Sequence, residues 1–68
     1  MSTARERVEL ERHDLVGRLA IARGFRDGPL FGGLSPAAKA LFHVQVNAMA
    51  TYAAALAGRL DVWEELET

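Results

Sequence analysis

Residues 35–66, SPAAKALFHVQVNAMATYAAALAGRLDVWEEL, decide the fold of this 68-residue chain. Ser35-Pro36 opens a helix, because serine is a favoured N-cap and proline suits the first helical position. From there Ala38, Phe42, Gln45, Met49, Tyr52, Leu56, Arg59, Trp63 and Leu66 alternate in steps of four and three. That is the heptad seam of helices packed along their length. A second apolar face lies beside it, with Leu41, Val44, Ala48 and Ala55 among Ala37, Ala40, Ala50, Ala54 and Ala57. Between 37 and 57 the polar residues are Lys39, His43, Gln45, Asn47 and Thr51. A helix apolar almost all round must be covered on more than one side. The pattern passes through Gly58 in register, which predicts one helix over about 36–66, ~45 Å long.

Residues 27–35 read as a loop. Asp27-Gly28-Pro29 ends whatever precedes it, since glycine supplies left-handed backbone angles and proline lacks the donor a helix needs. Leu30, Phe31 and Leu34 sit among Gly28, Gly32 and Gly33, and Phe31 is expected to plug the end of the core. Before the loop, Thr3 followed by Glu6 is a capping box. Val8, Leu15, Leu19, Ala22 and Phe25 then recur at helical spacing, and Val16, Ala20 and Ile21 widen the stripe. Arg7, Glu11, Asp14 and Arg18 hold the polar side, with Asp14 four residues before Arg18 in the favourable order for an ion pair. Gly17 is costly in a helix interior, by about 1 kcal/mol against alanine; it marks either a tolerant surface or close approach by another helix or a ligand. A helix over about 3–26 follows.

The fold class is therefore all-α: one domain over 1–68, an antiparallel two-helix hairpin. Sixty-eight residues bury too little apolar surface to fold comfortably alone. There is no cysteine, which excludes disulfides and thiolate metal sites. His13 and His43 are not joined by any metal-binding motif, so no metal and no cofactor are expected. Partners remain as the staple. Charge points to where they sit: residues 1–28 carry six arginines and five acids, residues 29–58 only Lys39, and residues 59–68 Arg59 with four acids. The uncharged stretch 40–58 approaches the minimum for a membrane span, but its polar residues and many alanines fit an oligomer interior better. The expectation is a homo-oligomeric helical bundle with no membrane and, at a net charge of −1, no DNA or RNA partner. The start of the sequence lacks a basic segment followed by an apolar run, so no signal peptide is expected.

No nucleophile motif, phosphate loop or general-base constellation is present, and Gly32-Gly33 lacks the strand and spacing of a dinucleotide fingerprint. An enzyme is not expected. What remains is polar groups within apolar seams. Gln45 either satisfies its donors and acceptor on the loop or a neighbouring subunit, or contacts a ligand. Arg59 either pairs with Glu6 or Glu9, which an antiparallel hairpin brings near, or grips a phosphate with its planar fork. Tyr52 is a core aromatic with its hydroxyl led outward, able to stack on a base. Arg12 is expected opposite Tyr52. Arg18, Arg23 and Arg26 add donors suited to an anion at a subunit junction.

Leu15, Arg18-Leu19, Phe25, Phe31, Leu34, Leu41, Gln45, Met49, Tyr52, Leu56 and Arg59 together resemble a family of small phage proteins named after a crAss-like phage protein. The resemblance spans residues 9–60, and Gln45-x-x-x-Met49-x-x-Tyr52 is its most specific part. By type such proteins are similar to phage sponges, compact homo-oligomers that withhold a nucleotide immune signal without chemistry. The resemblance implies an anti-defence protein in the cytoplasm of an infected bacterium, binding a cyclic nucleotide or a cyclic ADP-ribose-type signal. Arg12, Arg18 and Arg59 would hold phosphates, Tyr52 would stack on a base, and Gln45 would hydrogen-bond base or ribose. The alternative is a helical protein–protein adaptor or inhibitor with no small ligand.

Overall fold

A computed structural model describes residues 3–67; Met1, Ser2 and Thr68 of the expected domain lie outside the described residues. Helix α1 spans Ala4–Asp27, a 3-10 turn spans Phe31–Gly33, helix α2 spans Pro36–Asp61 and helix α3 spans Trp63–Glu67. The two long helices pack against each other as a hairpin, giving a rod of 50 × 19 × 15 Å.

Both long helices start as their residues dictate. Thr3 Oγ1 accepts from the Glu6 backbone N–H at 3.1 Å while Glu6 Oε1 accepts from the Thr3 N–H at 3.3 Å, so two otherwise orphaned donors are satisfied. Ser35 Oγ accepts from the Ala38 N–H at 3.1 Å, with Pro36 in the first turn. The ends are less like the sequence reading. Helix α1 runs past Gly24 and stops at Gly28, whose φ of −89° and ψ of 175° are extended rather than left-handed. The physical reason is Pro29: the residue before a proline is pushed out of the helical region toward extended angles. Helix α2 continues through Gly58 but stops at Asp61, and Val62, with φ −108° and ψ 20°, separates it from α3.

The seam between α1 and α2 is built almost wholly from aliphatic and aromatic side chains. Val8, Leu15 and Leu19 of α1 are buried, as are Val46, Ala53 and Leu56 of α2 and Trp63 of α3. Met49 and Leu60 pack against them. With Phe42, the α2 face is Phe42, Val46, Met49, Ala53, Leu56, Leu60 and Trp63, again in steps of four and three. It shares Phe42, Met49, Leu56 and Trp63 with the expected seam, but Val46, Ala53 and Leu60 replace Gln45, Tyr52 and Arg59. Two heptad phases one step apart were available, and the one that buries aliphatic groups wins, because an amide, phenol or guanidinium buried without partners costs several kcal/mol. No polar or charged side chain is buried among the described residues. On α1, Ile21 is 75% exposed and Val16 42%, so neither widens the stripe facing α2.

The loop end is closed by rings. Phe31 lies edge-on to Phe25 at 6.2 Å, and Phe42 sits 5.4 Å from both. His43 is edge-on to Phe31 at 5.4 Å, and Lys39 Nζ lies 6.0 Å from the Phe31 centroid. Phe31 therefore caps the core. No helix among the described residues is long and apolar enough to cross a membrane.

Candidate functional site

The phase of the seam decides which polar residues meet. Displaced from the interface, Gln45, Tyr52 and Arg59 are exposed and recur every seven residues along one flank of α2. Tyr52 reaches across to α1, where its hydroxyl donates to Glu11 Oε1. In an antiparallel hairpin, a contact between residues 11 and 52 puts residues 18 and 45, seven further along α1 and seven back along α2, at about the same level.

A groove of about 320 Å³ runs along this flank, lined by Arg7, Leu10, Glu11, Asp14, Leu15 and Arg18 from α1 and Tyr52 from α2. Its floor is the apolar edge of the core and its walls are ionic. The Glu11 carboxylate raises the Tyr52 phenol above its ordinary value of 10.0, chiefly by accepting its hydrogen bond, while the Arg59 charge pulls the other way. Arg59 lies seven residues, about two helical turns, along the same flank of α2. The expected ion pair between Arg59 and Glu6 or Glu9 does not form: Glu6 closes the cap, and Glu9 pairs with Arg5 at 3.2 Å.

Of the five residues singled out from the sequence, Arg18 and Tyr52 line the groove together, while Gln45 and Arg59 lie on the same flank of α2, each seven residues from Tyr52 and outside the lining. Arg12 is the exception. It follows Glu11 by one residue, so it is turned about 100° around the helix, across the Val8–Leu15–Leu19 stripe, and it does not line the groove. Glu11 occupies the place opposite Tyr52 that Arg12 was expected to fill. Arg7, Glu11 and Asp14 are the charged groove residues, and Leu10 and Leu15 the apolar ones, that the sequence did not single out as a site. Their signal was there, since Arg7, Glu11 and Arg18 recur at four and seven on one side of α1, but its use required the correct seam phase.

The groove sets two guanidinium groups, Arg7 and Arg18, and the Tyr52 ring, 46% exposed, against two carboxylates, Glu11 and Asp14, so its lining charges balance. The arginine forks can each hold an anion beside the planar ring. A second hollow, near α3, is lined by Asp61, Glu64 and Glu65 with Arg5, an acidic surround unsuited to an anion. No cluster of three or more histidine or acidic side chains able to hold a metal ion occurs among the described residues.

Comparison with curated proteins and with solved structures returns no match. The family model for Sequestin matches residues 2–62, a span that contains the whole of the 9–60 resemblance and every groove residue. On that match the chain belongs to the Sequestin family, whose name implies sequestration, a binding role rather than a catalytic one.

Proposed function

We propose that this chain is a phage anti-defence protein that binds and sequesters a nucleotide-derived immune signal, of the cyclic nucleotide or cyclic ADP-ribose type, without cleaving it. It acts as a homo-oligomer in the cytoplasm of the infected bacterium. One observation carries the reading: in a member of the Sequestin family, Arg18 and the half-exposed ring of Tyr52 share one groove, with Arg59 about two helical turns along the same flank. Arginine forks suit phosphate, and an accessible aromatic face suits a base. Gln45, with two amide donors and an acceptor on the same flank, would hydrogen-bond base or ribose. Arg12 does not line this groove and is left out of the reading. The competing reading, a helical adaptor or inhibitor, draws on Leu41 and Val44, which are 71% and 65% exposed.

Calorimetric titration with a panel of cyclic dinucleotides and cyclic ADP-ribose isomers tests the proposal. The expected result is saturable binding to one class of ligand, recovered intact after the protein is denatured. Arg18→Ala and Arg59→Ala each weaken it by about 10- to 100-fold, the worth of a charge-assisted contact. Recovery of a cleaved ligand points to an enzyme instead, and silence across the panel with a folded protein favours the adaptor.

A further inference from the structure

The outer face of α2, turned away from α1, carries a third run in steps of three and four: Leu41, Val44, Ala48, Thr51, Ala55, Gly58 and Val62. It holds no charge, and every one of these residues is exposed in the single chain. Larger residues stand at its ends, Leu41 and Val44 at one and Val62 at the other, with small residues between. A second copy laid antiparallel about Thr51 pairs Leu41 with Val62, Val44 with Gly58, and Ala48 with Ala55, while Thr51 meets its own copy. A large group thus meets a small one at Val44–Gly58, and the helices approach closely at the alanines.

Two details of the single chain fit this use. Thr51 Oγ1 donates to the Asn47 carbonyl at 2.9 Å, so the polar group at the centre of the face is satisfied within its own helix and can be covered dry. A Cβ built on Gly58 meets nothing within 4 Å, so packing inside the hairpin gives no reason for a glycine in a helix interior, where alanine is favoured. The approaching Val44 of a second copy gives one.

We infer that the outer face of α2 pairs with the same face of a second copy, antiparallel about Thr51, and that this pairing joins the two grooves into one site. A twofold axis through Thr51, perpendicular to the helices, keeps the Gln45–Tyr52–Arg59 flanks of both copies on the same side. Gln45 of one copy then faces Arg59 of the other, and the two Tyr52 rings lie next to each other across the axis. The pairing stands on the packing alone, while the joined site rests on the nucleotide-binding reading above.

The chain contains no cysteine, so single cysteines report the geometry directly. Sedimentation without ligand should give an even-numbered assembly of the 7.4 kDa chain. Thr51→Cys should oxidise to a covalent dimer at least ten-fold faster than Ile21→Cys, which sits on the back of α1. Val44→Asp, exposed in the single chain, should keep its helical circular dichroism and lose the assembly. A monomer at tens of micromolar, or equal crosslinking at the two positions, overturns the pairing. Binding by the crosslinked Thr51→Cys dimer at one ligand per two chains supports the joined site, and one ligand per chain overturns it. A crosslinked dimer that binds no nucleotide leaves the pairing standing and removes the sequestration reading.

Discussion

Helix α2 carries two stripes of the same spacing on nearly opposite sides, and only one is filled. The inner stripe meets α1 with large residues, among them Leu56, which is fully buried, and Trp63, which is 8% exposed. The outer stripe is mostly alanine, threonine and glycine, flanked by Leu41 at 71% exposure and Val44 at 65%. Spacing alone therefore marks a packing face without naming its partner. Residue size adds that information. Large side chains reach the Val8–Leu15–Leu19 stripe of a helix held at ordinary distance, whereas small ones let a backbone come close. The same chain thus encodes its hairpin and, we propose, its self-association on two faces of one helix.

The largest effect that can break this contrast is on the inner stripe. Leu56→Ala should cost about 3 kcal/mol in urea unfolding, since truncating a fully buried leucine loses both transfer energy and packing, and the cost should not depend on protein concentration. Val44→Ala, on the outer stripe, should cost under about 0.5 kcal/mol in a dilute hairpin and more only as concentration rises, because the outer stripe acts through association. Equal losses at high dilution would mean that both stripes belong to one core and would remove the distinction.

Much of the fold was legible because local chemistry fixes it. Thr3 with Glu6 and Ser35 with Pro36 start the helices through short-range hydrogen bonds that any environment preserves. The loop cluster was legible in outline, since Phe31 between glycines has nowhere else to bury its ring. The phase of α2 was not. Gln45, Tyr52 and Arg59 fit the heptad as well as Val46, Ala53 and Leu60 do, and only the desolvation penalty against α1 separates them. That single step misplaced Arg12 opposite Tyr52 and hid Glu11 and Arg7. It also left Arg18, Tyr52 and Arg59 on the same flank, because residues seven apart move together when a phase shifts. The stop at Asp61 was unread because the apolar pattern runs on past Val62 into Trp63 while the backbone turns.

A smaller effect sharpens the outer stripe. In an isolated hairpin Gly58→Ala adds a methyl into open space, and should stabilise the helix by up to about 1 kcal/mol. If Val44 of a second copy packs over that position, the same methyl weakens association. Melting temperature should then rise in dilute samples and rise less, or fall, in concentrated ones. A uniform gain at every concentration would free Gly58 from any interface.

The smallest effect belongs to the flank between the two stripes, where Tyr52 donates to Glu11. Because the carboxylate accepts from the neutral phenol and repels the phenolate, the folded chain holds the Tyr52 proton above the ordinary value of 10.0. The sign follows from linkage: the folded state binds this proton more tightly than the unfolded one, so the contribution to stability is complete below the unfolded value and is lost as pH rises through the raised one. Phenolate absorbance should therefore show a midpoint above 10.0 in the folded protein. Glu11→Gln should lower that midpoint, since it removes the principal cause of the rise, and Arg59→Ala should raise it further, since the Arg59 charge opposes it. Opposite movements in the two variants place Glu11 and Arg59 around one ring. An unchanged midpoint in both would separate Tyr52 from each of them, leaving a groove with no shared electrostatics to offer an anion.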